Sequence, residues 1–335
     1  MNSVAPILDV NNLTVEYQVK TKGKRGVRIA RAVDGVSLKI RPGETLAVVG
    51  ESGSGKTSIA NAIMRLIEPT SGSIMLDGKE LTKLAGKELR LARSKFQMIF
   101  QDPFESLDPR RTVLDTILES LVVAGIGIDD AEKRKLALEA LEKVGLIPAE
   151  NVGARYTYQL SGGQRQRVAI AAAMILKPHL LVADEPVSML DVSLRAGILR
   201  LMRELSRELQ IATLFITHDL SLAWMYADRI AVVYSGRIVE EGHPADLISF
   251  PQHPYTKALV SVIPVPEKNI ARNRIILSGE IPDPLEIPSG CRFSPRCPKY
   301  RALGQPELCI SSDPKLESIG DQFVACHFPE KKETK

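Results

Sequence analysis

Residues 45–58 read T-L-A-V-V-G-E-S-G-S-G-K-T-S, and the fold is decided here. Thr45 to Gly50 is an apolar run of strand length that runs into a glycine-rich break, and a helix is expected from Lys56 to about Ile67. A strand that ends in such a loop and opens a helix aims backbone N–H groups and the positive helix end at one spot. Gly50, Glu51, Ser52, Gly53, Ser54, Gly55, Lys56, Thr57 and Ser58 are therefore the expected cradle for the phosphates of a nucleoside triphosphate. In it Lys56 neutralises the β- and γ-phosphates and the Thr57 hydroxyl is a ligand of Mg²⁺.

Strands and helices alternate outward from this point. I-L-D-V-N-N-L-T-V-E-Y, residues 7–17, alternates apolar and polar residues and reads as a strand. S-I-M-L-D-G-K, residues 73–79, reads as a strand ending in an Asp-Gly turn, and Arg229 to Gly242 as strand-turn-strand around Ser235-Gly236. L-L-V-A-D (180–184) and A-T-L-F-I-T-H (212–218) are apolar throughout, as strands of a parallel sheet buried on both faces require. Asp184 ends the first of these, where a carboxylate can hold Mg²⁺, and Glu185 follows it, where a carboxylate can orient and polarise an attacking water. His218 ends the second, within expected reach of a γ-phosphate. Between about Asp129 and Val144 the period becomes helical, with Leu136, Ala140, Leu141 and Val144 on one face. This stretch interrupts the alternation and reads as part of an inserted helical subdomain, about residues 103–178.

A second motif, L-S-G-G-Q, occupies residues 160–164. Ser161 is a good N-cap for a helix starting near Gly162, and Gly162 and Gly163 expose further backbone N–H groups ahead of Gln164. One chain cannot easily bring both helix ends to one nucleotide.

The composition, 44% hydrophobic and 25% charged over 335 residues, suits a soluble chain with one large domain and a smaller appendage. A formal charge of +4 is too small on this length to argue for a nucleic-acid partner. No run is apolar enough to span a membrane and no secretory signal is visible, so the expected location is cytosolic, with any membrane role arising by docking. Lys20 to Arg31 is basic without an acid, and reads as a solvated hairpin or loop, or as a contact for lipid head groups or a partner's acidic face. After about Phe250 proline becomes frequent, which sets an expected boundary between residues 1–250 and 251–335. All four cysteines (Cys291, Cys297, Cys309 and Cys326) follow that boundary. In a cytosolic chain such segregation points to metal ligation more than to disulfides.

With these residues assembled, roughly the first 245 residues resemble the ATPase subunit of an ATP-binding cassette (ABC) transporter. The resemblance implies an α/β P-loop NTPase (RecA-like) core with antiparallel strands and an inserted helical subdomain, followed by a small irregular cysteine-containing domain. It implies that Tyr17 stacks on adenine, that Gln101 in I-F-Q-D-P links the nucleotide and its Mg²⁺ to a transmembrane partner, and that Asp191 in S-M-L-D lies at a dimer interface. Two ATPase chains would pair head to tail, each signature (Ser161, Gly162, Gly163, Gln164) closing on the other's phosphate loop. Glu185, His218, Gln101 and Lys56 would then be the catalytic group. Phe104 reads as a permease contact or as a core phenylalanine.

Three stretches resemble the oligopeptide/dipeptide importer branch: F-Q-D-P-F-E-S-L-D-P (100–109), P-Q-H-P-Y-T-K-A-L (251–259) and the cysteine tail. Similar tails bind a [4Fe–4S] cluster, and four thiolates are the right number for one. Their spacings of five, eleven and sixteen residues match neither common ferredoxin runs nor a paired C-x-x-C zinc site, so cluster, zinc and no metal all stand. A cluster would pin a proline-rich tail expected to have little core of its own. The branch implies a second, different ATPase chain, two permeases, an extracytoplasmic solute-binding protein, and a place on the cytoplasmic face of the membrane. Its members also carry oligosaccharides or nickel chelates. The rival class, a soluble cassette ATPase acting on DNA or the ribosome, usually has two cassettes or a long coiled coil, and this chain has one cassette and no heptad run.

Overall fold

The computed structural model describes residues 5–20, 27–102, 107–126, 129–263 and 274–330. In chain order the elements are β1 (Leu8–Lys20), β2 (Val27–Ile40), β3 (Thr45–Val49), α1 (Lys56–Ile63), β4 (Ser71–Leu76), β5 (Lys79–Glu80), α2 (Gly86–Ala92) and β6 (Phe96–Ile99). Then come α3 (Val113–Val123), α4 (Asp130–Lys143), α5 (Ala149–Gly153), α6 (Gly162–Met174), β7 (Leu180–Asp184), α7 (Val192–Glu208), β8 (Ala212–Thr217) and α8 (Leu220–Tyr226). The chain closes with β9 (Arg229–Tyr234), β10 (Arg237–Gly242), α9 (Pro244–Ser249), α10 (Pro254–Ser261), α11 (Pro298–Ala302), α12 (Leu308–Ser311), β11 (Glu317–Ile319) and β12 (Gln322–Val324). No helix among the described residues is long and apolar enough to cross a membrane.

Two compact units result. The first holds Met1–Asp9, Lys39–Thr45 and Ile74–Phe215. In it β6 and β7 pair in parallel from Phe96↔Leu180 to Ile99↔Ala183, and β7 is buried along its whole length. The helices that follow β6 start on side-chain caps. Thr112, Asp129 and Ser161 accept the N–H of Asp115, Glu132 and Gln164, satisfying donors that a helix end leaves open. The expected apolar face of α4 is split. Ala137, Leu141 and Val144 are buried, whereas Leu136 and Ala140 are half-buried and line an apolar cavity with Val144, Met174 and Leu205.

The second unit holds Val10–Leu38, Leu46–Ser73 and Ile216–Lys335. Here β3 and β9 pair in parallel from Leu46↔Arg229 to Val49↔Val232, and β9 turns back into β10. Ser235 and Gly236 sit at φ 45° and 79°, the two left-handed positions of a tight hairpin. The tail then continues the sheet. β12 pairs with β10 at Glu240↔Val324, and β11 with β12. It also shares a core with β9. Phe293 lies 5.1 Å from Tyr234 and 5.5 Å from Tyr255, ring centre to ring centre, and all three are buried. The expectation of a tail with little core is corrected accordingly. Of the basic stretch Lys20 to Arg31, residues 21–26 lie outside the described residues; Lys20 ends β1 and Val27 to Arg31 begin β2, its neighbour in the sheet. Arg28 pairs with Glu286 at 3.2 Å and Arg31 with Glu16 at 2.8 Å.

The stretch P-Q-H-P-Y is explained by one buried carboxylate. Glu240 on β10 accepts the N–H of Gln252 at 2.7 Å and that of His253 at 2.9 Å, and His253 Nδ1 accepts the N–H of Tyr255 at 3.1 Å to start α10. Burial pushes Glu240 up to about 7 from 4.5 and His253 down to about 3. A carboxyl group whose folded value is raised keeps a proton that the unfolded chain has released. Glu240 therefore contributes most below pH 4.5, and its contribution is lost as pH rises to about 7. The folded chain should lose up to about 3 kcal/mol across that window relative to E240Q, which carries a constant offset instead. Comparing the two chains cancels the opposite trend from His253, and equal slopes in denaturant unfolding would remove this account of Glu240.

Candidate nucleotide-binding site

The loop between β3 and α1 is shaped by what cannot fit beside it. A Cβ on Gly50 would stand 2.2 Å from the Val233 carbonyl oxygen, and one on Gly55 2.3 Å from that of Ala32. Gly55 also takes φ 103°, which a side chain resists, and α1 starts immediately after it. The Gly236 N–H donates to the Ser54 carbonyl at 2.8 Å, tying the loop to the β9–β10 hairpin. Lys56 is only 6% exposed, and its ammonium donates to the carbonyls of Gly50 at 2.8 Å and Glu51 at 2.9 Å. The Ser54 hydroxyl is buried with no partner among the described residues, the kind of orphaned donor that a phosphate oxygen would satisfy. Loop curvature, a buried cation and an unsatisfied hydroxyl together fit an anionic polyphosphate.

Ser52, Gly53 and Thr57 are exposed on this loop, and Ser58 Oγ lies 3.1 Å from the hydroxyl of Tyr17 on β1. The Tyr17 side chain is 39% exposed. The helix is shorter than expected. It ends at Ile63, and Arg65 turns the chain at φ 51°. His218 follows β8 and is exposed, beside Asp219, which caps α8 through the Ser221 N–H at 2.8 Å. These residues belong to the second unit.

The first unit carries the other candidates. Asp184 is buried at the end of β7. Glu185 takes φ 45°, a left-handed conformation that costs a residue with a side chain about 1 kcal/mol or more and is concentrated at functional sites. Its carboxylate accepts the Gln101 side-chain N–H at 3.2 Å, so these two predicted residues are brought together. The Ser188 hydroxyl donates to the Glu185 carbonyl at 3.0 Å, and Arg195 to the Leu190 carbonyl at 2.9 Å, which sets the turn leading to Asp191. Asp191 is exposed at the N-cap position of α7. In the signature, Ser161 Oγ accepts the Gln164 N–H at 3.4 Å and Gln164 Oε1 accepts the Ser161 N–H at 3.0 Å, a reciprocal cap. Gly163 is buried, with the Leu194 side chain 3.2 Å from where a Cβ would stand. Phe104 lies outside the described residues.

In the tail, Cys291, Cys297, Cys309 and Cys326 all line one small cavity with His253, Phe293 and Phe328. Burial pushes Cys291 up to about 12 and Cys326 up to about 11, and the neighbouring thiols add to both. As they stand, no group of three or more histidine, cysteine or acidic side chains among the described residues is arranged to hold a metal ion. Four thiols, the donor type that a cluster takes, nevertheless line one apolar cavity, and Cys297 Sγ accepts the Tyr300 N–H at 3.4 Å as the N-cap of α11.

Sequence reasoning missed the residues that join this tail to the loop. Arg296 donates to the Glu51 carboxylate at 3.0 Å, the Tyr255 hydroxyl accepts the Glu51 N–H at 2.9 Å, and Arg292 donates to the Ser235 carbonyl at 2.6 Å and to Asp34. The signal that the sequence offers for them is the P-Q-H-P-Y stretch, which contains Tyr255.

Comparison with known proteins agrees with this geometry. Residues 33–188 match the ABC transporter family, and residues 239–302 match the C-terminal region of oligopeptide/dipeptide transporters. The chain is 44% identical to YkfD of Bacillus subtilis (strain 168), named for oligopeptide transport, over 98% of each chain. It is 42% identical to the oligopeptide transport ATP-binding protein OppF of Escherichia coli (strain K12), over 96% of this chain and 95% of that one. Among solved structures, the cassette MJ0796, in a dimeric post-hydrolysis state with ADP and Pi, is 32% identical with a TM-score of 0.62, over 71% of this chain and 98% of its own. The CbiO1 cassette of Clostridium perfringens, part of the ABC transporter complex CbiONQ, is 29% identical with a TM-score of 0.63, over 73% of this chain and 91% of its own. The fold is that of the P-loop NTPases, and the chain belongs to the ATP-binding cassette family, in its oligopeptide/dipeptide transporter branch, as an ATPase coupled to transport.

Proposed function

We propose that the chain hydrolyses ATP to energise an importer of oligopeptides or dipeptides, from the cytoplasmic face of the membrane. The observation that carries this reading is the match that continues past the cassette into the oligopeptide/dipeptide C-terminal region, residues 239–302. The partners are a second cassette ATPase, a different chain, two permeases and an extracytoplasmic solute-binding protein. Residues 1–250 form the cassette, with the helical subdomain at about 103–178, and residues 251–335 the extension.

In this reading the loop from Gly50 to Ser58 wraps the phosphates, Lys56 neutralises them and Tyr17 stacks on adenine. Thr57, Gln101 and Asp184 hold Mg²⁺, which supplies charge neutralisation on the phosphates. Glu185, held by Gln101, orients and polarises the attacking water, and His218 supports the γ-phosphate. The partner's copy of the signature, matching Ser161 to Gln164 here, closes on the loop, with Asp191 at the interface. Catalysis by such a set is positioning and charge stabilisation. E185Q should lower ATP turnover at least about 100-fold while a fluorescent nucleotide still binds, and unchanged turnover would remove Glu185 from the role.

Cys291, Cys297, Cys309 and Cys326 would hold a [4Fe–4S] cluster, which supplies a structural cross-link. Anaerobically isolated protein should contain about four iron and four acid-labile sulfide per chain, and C297S should lose them. One zinc and no sulfide would instead favour a zinc site.

The role is tested by recovering the chain from its native membranes. Co-recovery of two polytopic permeases and a second cassette ATPase is the expected result, with uptake of peptides, rather than oligosaccharides or nickel chelates, by the recovered system. Recovery with ribosomes or DNA and without a permease would overturn it.

A further inference from the structure

The phosphate loop has a feature that its cradle role does not require. Its second residue, Glu51, is an acid set in a loop that is to receive a polyanion, and like charges in one site repel. The Lys56 ammonium donates to the Gly50 and Glu51 carbonyls, and the cation paired with the Glu51 carboxylate comes from the tail. The Arg296 guanidinium, whose side chain is only 9% exposed, donates to both Glu51 oxygens, at 3.3 and 3.0 Å. Its carbon lies over the Tyr234 ring, 5.9 Å from its centre. Tyr255, also outside the loop, takes up the Glu51 N–H at 2.9 Å. The second residue of the loop is thus held at its carboxylate and at its amide by residues 204 and 245 positions downstream.

We infer that Arg296 is a positioning residue for ATP, neutralising Glu51 and holding its carboxylate turned away from the phosphates, so that the cysteine tail is a working part of the nucleotide site. This rests on the reading of Gly50 to Ser58 as the phosphate loop. A half-buried carboxylate that loses the guanidinium paired with it repels a neighbouring polyanion more strongly. Removing Arg296 should therefore weaken ATP binding, and removing the charge of Glu51 at the same time should abolish most of that loss. A tail that merely folds badly without Arg296 would show no such rescue.

The test is a double-substitution cycle on the full-length chain, with ATP affinity read by a fluorescent nucleotide and KM and kcat read on the assembled transporter. R296Q should weaken binding about tenfold and raise KM in step, with kcat within about twofold. E51Q/R296Q should fall within about twofold of E51Q alone, and R296K, which keeps the charge, should retain most of the affinity. An equal loss on R296Q with and without E51Q, or no loss in either, overturns the inference. Should R296Q not fold, R296M and E51Q/R296M, which also remove the charge, give the same comparison. K56A separates the two failures. If it still binds ATP normally, the reading of the loop itself falls, whereas abolished binding in K56A beside additive effects at Arg296 removes only the role of Arg296.

Discussion

A lysine ammonium that is almost wholly buried has to be solvated by the protein, and the protein around Lys56 is built to do it. Its two carbonyl partners, Gly50 and Glu51, belong to the same loop, so the loop must curl back over the side chain. That curl is possible only where Val233 and Ala32 leave no room for a Cβ, at Gly50 and Gly55. Val233 is on β9 and Ala32 on β2, so the pairing of β3 with β9 and the path of β2 are conditions for the loop. The hairpin at Ser235–Gly236 follows from the same constraint, since the Gly236 N–H closes on the Ser54 carbonyl.

What could be read in the sequence was whatever depends on neighbours along the chain. The strands Leu180–Asp184 and Ala212–Thr217, the turns at Asp77–Gly78 and Ser235–Gly236, and the cap at Ser161 are set by short-range patterns, and each stands where expected. Local patterns failed where a second surface intervened. Leu136 and Ala140 share a helix face with Val144 by period, yet they border a cavity while Ala137 and Leu141 fill the core, because packing, not period, chooses the buried stripe. The acidic partners of Arg28 and Arg31, Glu286 and Glu16, are not legible in the basic stretch, because neither is adjacent to it in sequence.

The candidate site divides in the same way. The phosphate loop and the signature are contiguous, and both were legible. Gln101 and Glu185 could be named but not joined, since 84 residues separate them. The positive φ of Glu185 was not legible at all. No residue type announces it, and it stands at the start of a turn held by Ser188 on the Glu185 carbonyl and Arg195 on the Leu190 carbonyl. The tail was legible as chemistry, through four clustered thiols, and illegible as structure.

That difference has a physical cause. Cysteines report themselves by type, whereas Arg292 and Arg296 look like ordinary surface arginines until their partners are known. Both sit beside cysteines of the tail, and their side chains leave it. Arg292 runs to the Ser235 carbonyl and Asp34, and Arg296 to Glu51. The segment from Cys291 to Cys297 is therefore fixed at two scales, by its own packing against Tyr234 and Tyr255 and by two guanidinium groups that end on the hairpin and the loop. The hairpin in turn holds the Ser54 carbonyl, and Ser54 and Glu51 both lie on the loop that carries Lys56, so these contacts join the tail to the phosphate loop.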